Sequence, residues 1–364
     1  MFVCGYVIER LKNNKMQQSK LEIAKNVKKP EVENLSSAYL FFYRLSRIFD
    51  YVAILRPLLL IPVWTMVLLG YYGVVSDKLT TQIHLPIVGN VGIILHPHGE
   101  VLITLLLYSL LMGAIYILNQ LTDSHTDEIN GKLYLIPYGY LKKGNLKILI
   151  AILLSASIIL AFLKFSLTYS ILVLISIALG IMYSVPPIRL KGKPILDLLA
   201  NASGFGIIAF AVGWASQGEF SVNMILDSLP YFLCVSAAFI NTTIPDMEGD
   251  VRNGDNTTGV FLGIRKSCLI STIILCLAIL TSLYRRDFIP LIASALSLPF
   301  FVYMTISNWN QPINTRSITM ATKISVLVLS LLIALLIPLY FILLIFTILL
   351  VGLYYQVRFG IKYP

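Results

Sequence analysis

Charge is scarce in this chain. Of its 364 residues only 13% are Asp, Glu, Lys or Arg, where a soluble domain carries roughly a quarter. Acidic residues number just 18, histidines 4 and cysteines 4. So little charge excludes an ordinary soluble domain. The cysteines (Cys4, Cys234, Cys268, Cys276) lie far apart with no C-x-x-C pair, which excludes a disulfide framework and a thiolate metal site. The net charge of +10 is scattered over loops between apolar runs. It therefore reads as topology-setting charge and attraction to anionic membrane lipid, and excludes a nucleic-acid partner.

What the chain has in excess is apolar sequence. Hydrophobic residues make up 57%, mean hydropathy is +0.81, and long apolar runs recur, as at Leu102–Leu118, Ile148–Leu163, Ile171–Met182 and Leu327–Leu350. In hydrocarbon such runs must satisfy their own backbone hydrogen bonds, so they form helices of about 20 residues each. The expected fold is all-α, a polytopic transmembrane helical bundle. Spans are expected at 52–74, 101–121, 146–163, 168–187, 197–215, 228–244, 268–284, 288–306, 320–337 and 339–357. Pro338 divides the last two, which leaves nine or ten spans. Residues 1–50 are expected as a basic cytosolic tail with an interfacial helix over 36–50, and 51–364 as the transmembrane domain.

Basic residues mark alternate loops: Lys132, Lys142 and Lys143, then Arg189, Lys191 and Lys193, then Arg252, Arg265 and Lys266. Positive-inside logic puts these loops and the N-terminus in the cytoplasm of a multi-pass cell-membrane protein. Arg285 and Arg286 break the alternation.

Because acids are rare, their clustering is informative. Asn119, Asp123 and Asp127 form an N-x₃-D-x₃-D array at the end of the second span, and on a helix this spacing gives one face. Asp246 and Asp250, again four apart, stand at the end of the sixth span. An even number of crossings separates the clusters, so both open on the same side. Facing carboxylate rows repel unless a cation lies between them, and Mg²⁺ with substrate phosphate oxygens suits that place. The intervening loop, Tyr183-Ser-Val-Pro-Pro-Ile-Arg189-Leu-Lys191, has cations that can hold a diphosphate.

These segments together resemble the UbiA superfamily of intramembrane prenyltransferases, over roughly residues 50–340. The resemblance rests on the N-x₃-D-x₃-D array, the YSVPPIRLK loop, the string IPDMEGDVRNGDNTTGVFLG (244–263) and the Arg56-Pro57 pair. It implies a Mg²⁺-dependent enzyme moving an isoprenyl group from a polyprenyl diphosphate to a lipophilic acceptor. By resemblance Asn119, Asp123, Asp127, Asp246 and Asp250 hold two Mg²⁺ ions, with Asp123 and Asp246 the essential pair. Lys132, Tyr183, Arg189 and Lys191 then lie near the diphosphate. Two departures stand out: Ile136-Pro137 where many relatives carry Arg-Pro, and Thr242 and Thr243 where many carry an acid. The IPDMEGD string looks most like branches acting on homogentisate, chlorophyllide or carotenoid ends, with an aromatic quinone precursor the first choice. A terpene cyclase on the same scaffold and a secondary transporter are the competing readings.

Other features are assigned to structure. His84, His96, His98 and Glu100 read as an ordinary loop, His125 as a bystander off the acidic face, and Gly204, Gly206 and Gly213 as helix-packing residues.

Overall fold

The computed structural model describes residues 47–76, 82–85, 89–123, 135–136, 139–310 and 312–360. The basic tail, nearly all of the expected interfacial helix, Asp127, His125 and Lys132 lie outside the described residues. Among the described residues ten helices are long and apolar enough to cross a membrane, so the chain is a multi-pass helical membrane protein, and Pro338 divides two of these helices.

After a short helix α1 (Asp50–Ala53) the spans run α2 (Pro57–Val75), α3 (Gly99–Thr122), α4 (Lys143–Lys164), α5 (Leu167–Ser184) and α6 (Leu196–Ala215). Then come α7 (Val222–Thr243), a short α8 (Met247–Asn253), α9 (Thr258–Arg285), α10 (Phe288–Ser307), α11 (Thr315–Leu336) and α12 (Pro338–Phe359). An antiparallel hairpin, β1 (Gln82–Leu85) with β2 (Gly89–Gly92), interrupts the α2–α3 connection and pairs Ile83 with Val91. Nothing in the apolar periodicity of the spans announces it.

Two starts differ from expectation by more than five residues. Helix α7 begins at Val222, because Asn223 and Asp227 lower the hydropathy of a turn that is still helical. Helix α9 begins at Thr258, where Arg265 and Lys266 hide it, and carries a break at Gly263 (φ 71°, ψ 165°). Pro338 ends one helix and opens the next: its missing N–H belongs to an orphan position at N1, and Ile337 before it is extended (φ −128°, ψ 84°).

Between helices, small residues set the distance, because lipid is as apolar as Leu and packing alone must hold spans together. A Cβ on Gly213 would lie 1.8 Å from the Val67 carbonyl, and one on Gly70 would lie 1.9 Å from that of Phe210. Helices α2 and α6 thus meet backbone to backbone. Gly206 packs equally hard, on Phe232, whereas Gly204 meets only Leu179 at 3.5 Å and borders a cavity. The packing expectation holds for two of the three.

One of the two arginines that broke the charge pattern has a partner. The Arg285 guanidinium donates through Nε (3.0 Å) and Nη2 (2.5 Å) to Asp227, so this pair adds no net charge at that end. Beside it Asp287 accepts from Tyr231 (2.7 Å) and from the Ile289 amide, and burial pushes its carboxyl up to about 6.

A second ion pair, this one buried, ties the last helix to the first. Arg358, 4% exposed, donates from Nε and Nη2 to both oxygens of Asp50 at 3.0 Å, with Tyr354 donating to the same carboxylate at 2.7 Å. Its guanidinium lies over the Tyr140 ring at 4.6 Å. Removing one partner of such a pair strands a buried charge and costs about 3–5 kcal/mol. Arg358→Met should therefore lower the thermal unfolding midpoint of the solubilised protein, and adding Asp50→Asn should restore part of the loss. An unchanged midpoint in the single variant would show that the clasp contributes nothing.

Candidate active site

The helices enclose a cavity of about 490 Å³. Its mouth, at one end of the bundle, is polar: Arg56, Asn119, Asp123, Tyr183, Lys191, Asp246, Asp250 and Asp255 all line it. Away from the mouth the lining turns apolar, with Met66, Met112, Ile115 and Leu179 among the walls. The aromatic rings that face inward are Tyr108, Tyr116, Tyr183, Phe205 and Phe239.

Helix α3 delivers Asn119 and Asp123. It ends at Thr122, and Asp123 forms its C-cap (φ −100°, ψ 7°), its amide donating to the Asn119 carbonyl at 2.9 Å. The expected helical face is therefore real for Asn119 and Asp123, while its extension to Asp127 falls outside the described residues. The Asn119 amide donates to the Ser184 hydroxyl at 3.3 Å, which fastens the pair to the last turn of α5.

The second pair sits where Pro245 halts α7. A proline lacks the N–H that would continue the helix, so Ile244–Asp246 forms a 3₁₀ turn and α8 starts afresh at Met247. Asp246 becomes the N-cap of α8 and Asp250 follows within its first turn. Asp250 accepts from the Thr257 hydroxyl at 3.1 Å. Glu248, between them, pairs with Arg252 and does not line the cavity.

The basic loop lies between these pairs. Lys191 is ion-paired to Asp123, and Arg189 reaches Asp255 at 2.7 Å and Asp123 at 3.7 Å. Burial pushes the Lys191 ammonium down to about 8, against the opposing pull of Asp255 and Asp250. Arg189 itself stands beside the cavity and is not part of its lining. Its backbone is left-handed (φ 38°), a conformation that costs a non-glycine residue about 1–3 kcal/mol and persists where surroundings over-determine it. A Cβ on Gly192 would lie 2.5 Å from Asp255 Oδ1; only glycine lets that carboxylate come so close to the loop.

All of the sequence-selected residues that are described thus gather at one end of the bundle. Reading the spacing of acids did not find Asp255, which holds Arg189, nor Asp197, a buried carboxylate on the cavity wall. An acid inside an apolar span was the available signal for Asp197. The two departures also find their place. Ile136 is 6% exposed and packs with Ile54, Ile117 and Leu146, so it belongs to an apolar cluster and is not among the residues that line the cavity. Thr242 and Thr243 do line the mouth, and Thr243 lies against Gly259 of α9. The His96–Glu100 segment is structural: His98 Nδ1 shares a 2.6 Å hydrogen bond with the Tyr71 hydroxyl, and Gln217 donates to Glu100.

Among the described residues the donors at the mouth are carboxylates and an amide oxygen, with no sulfur or imidazole. That set fits a hard, oxygen-seeking divalent cation such as Mg²⁺. Among the described residues no three acidic, histidine or cysteine side chains form a metal-holding group by themselves. The two carboxylate rows occupy separate walls.

Digeranylgeranylglyceryl phosphate synthase of Sulfurisphaera tokodaii is 28% identical over 50% of this chain and 65% of its own length. The probable homogentisate phytyltransferase 2 of Oryza sativa subsp. japonica is 27% identical over 46% of each chain. The chain thus spans less than two thirds of either relative. In fold it is similar to a UbiA homologue from Archaeoglobus fulgidus solved with GPP and Mg²⁺, with a TM-score of 0.56 at 19% identity, covering 78% of this chain and 99% of that one. Residues 91–320, well over half of the sequence, match the model of the UbiA prenyltransferase family, and the chain belongs to that family.

Proposed function

We propose that this protein transfers an isoprenyl group from a polyprenyl diphosphate to a lipophilic acceptor at the mouth of the cavity, with Mg²⁺ as cofactor. One observation carries the reading: two acidic rows and a basic loop from distant parts of the sequence converge on one polar mouth, above a chamber that is apolar and aromatic. The Archaeoglobus homologue was solved with such a diphosphate and Mg²⁺, which supports the same ligands here. Helix-end acids at the mouth of the chamber favour an enzyme over a transporter, whose coupling acids sit near mid-membrane on broken helices.

Asn119, Asp123, Asp127, Asp246 and Asp250 would hold the metal, which supplies Lewis-acid neutralisation of the charge building on the departing diphosphate. Lys191, Arg189, Tyr183 and Lys132 would donate to the same oxygens. In this structure Lys191 neutralises Asp123, so ligand binding exchanges one counter-charge for another. The allylic cation left behind is shielded by the inward rings Tyr108, Tyr116, Phe205 and Phe239, whose faces carry negative quadrupole charge. The apolar walls exclude water from it. For the acceptor we propose an aromatic quinone precursor, in line with the homogentisate relative. Mass spectrometry of lipids from cells with and without the gene tests it, and a changed lipid lacking an aromatic head would refute it.

Asp123→Ala and Asp246→Ala should each abolish diphosphate release from geranylgeranyl diphosphate in Mg²⁺ while the protein still inserts and folds. Near-normal release at saturating Mg²⁺ in either variant would remove these residues from the site.

We also place the mouth in the cytoplasm of a cell-membrane protein. Cysteines substituted at Lys142 and Asn253 should react with an impermeant thiol reagent from the cytoplasmic side only, and one at His96 from outside only. Lys142 and Asn253 on opposite faces would contradict a shared site.

Arg189→Lys keeps the loop's charge but loses the planar fork. If Arg189 serves the diphosphate, kcat/KM for that substrate should fall about ten- to hundredfold, the scale of about 1–3 kcal/mol for a charge-assisted hydrogen bond. Wild-type kinetics would assign the loop's charge to topology alone.

A further inference from the structure

Asp197 stands on the cavity wall in the first turn of α6, and the reaction above gives it no task. It is 1% exposed, and its partners are donors without charge. Its oxygens accept from the Leu198 amide (2.7 Å), from the Thr258 amide (2.7 Å) and from the Thr258 hydroxyl. Leu198 lies at the start of α6 and Thr258 is the first residue of α9. A buried negative charge therefore sits on two helix N-termini at once, where orphan N–H groups and the helix dipole favour an anion.

The Thr258 hydroxyl works in both directions. It donates to Asp197 and accepts from the Ile195 amide at 2.8 Å. Ile195 has φ 69° and ψ −42°, a conformation that a β-branched residue holds only where neighbours fix it. Two further contacts continue the line: the Asn256 amide donates to the Gly192 carbonyl at 3.1 Å, and Arg189 pairs with Asp255. Segment 189–198 is thus sewn to segment 253–258. The first segment carries Arg189 and Lys191. The second directly follows Asp246 and Asp250, and its Thr257 holds Asp250.

We propose that Asp197 is a positioning residue: by joining the starts of α6 and α9 it fixes the spacing between the basic loop and the second acidic row, so that one diphosphate is met from both sides. This role rests on the proposed diphosphate site. A plain helix cap would hold α6 alone; Asp197 spends two of its three hydrogen bonds on α9.

The test uses the full chain in lipid nanodiscs with Asp197→Asn, Thr258→Val and Thr258→Ser. Two quantities are measured: hydrogen–deuterium exchange along the chain, and Mg²⁺-dependent binding of geranylgeranyl thiolodiphosphate by calorimetry. Asp197→Asn should speed exchange in 189–199 and 250–260 but not in the remaining spans, and should weaken binding tenfold or more. Thr258→Ser, which keeps both hydrogen bonds to Asp197, should match wild type. Thr258→Val removes only the hydroxyl, should shift both quantities in the same direction by less, and carries the test if Asp197→Asn loosens the whole bundle. Unchanged exchange at the seam overturns the proposal, and so does a seam that opens while binding stays at the wild-type value. A wild-type chain that does not bind the analogue would instead refute the diphosphate site, and the role would fall with it.

Discussion

Like charges at the end of an apolar bundle govern this structure. Two unit charges 4 Å apart interact by about 4 kcal/mol at the dielectric of a protein surface. Among the described residues the mouth holds four carboxylates, Asp123, Asp246, Asp250 and Asp255, beside hydrocarbon. Every nearby feature answers that repulsion. The rows stand on separate walls, Lys191 and Arg189 lie between them, and Asp250 and Asp255 take neutral donors from Thr257 and Asn253. An arrangement that must import cations to be comfortable is also one that binds a polyanion together with its metal, which is why the proposed chemistry belongs here.

Holding such a mouth open demands rigid walls, and the membrane removes the usual means of making them. Without water to expel, α2 and α6 gain contact by bringing backbones together at Gly70 and Gly213. On the far side of α6 the chain passes through a π-helical stretch, Ser203–Ala209. The wider turn brings Gly206 against α7 and sets Gly204 and Phe205 at the cavity edge. Charge is kept out of lipid by the same economy. Arg285 with Asp227 and Arg358 with Asp50 each present a neutral pair.

Much of this was legible from the sequence because hydrocarbon permits few alternatives. Apolar runs had to be helices, and the rarity of acids made Asp123, Asp246 and Asp250 conspicuous. The sequence was mute where geometry depends on a polar residue inside an apolar run. Helices α7 and α9 extend through Asp227, Arg265 and Lys266, which hydropathy counts against a span although each can be paired or placed at an end. Asp255 was hidden for another reason. It breaks the four-residue spacing that identified the other acids, and its importance comes from Gly192, sixty residues away, which leaves room for it. No local pattern encodes such a contact.

The two positions that depart from the family pattern bear on how the charge is shared. With Ile136 in an apolar cluster, the cation that an arginine would have supplied there is missing from the mouth. With Thr242 and Thr243 in place of an acid, one negative charge is missing too. Among the described residues the two changes remove one charge of each sign. What replaces them is neutral hydrogen bonding: Thr257 on Asp250, Asn253 on Asp255, Thr258 on Asp197. Hydroxyls and amides fix direction without adding field. A mouth built this way therefore depends more on how its loops are joined than on how many charges it holds.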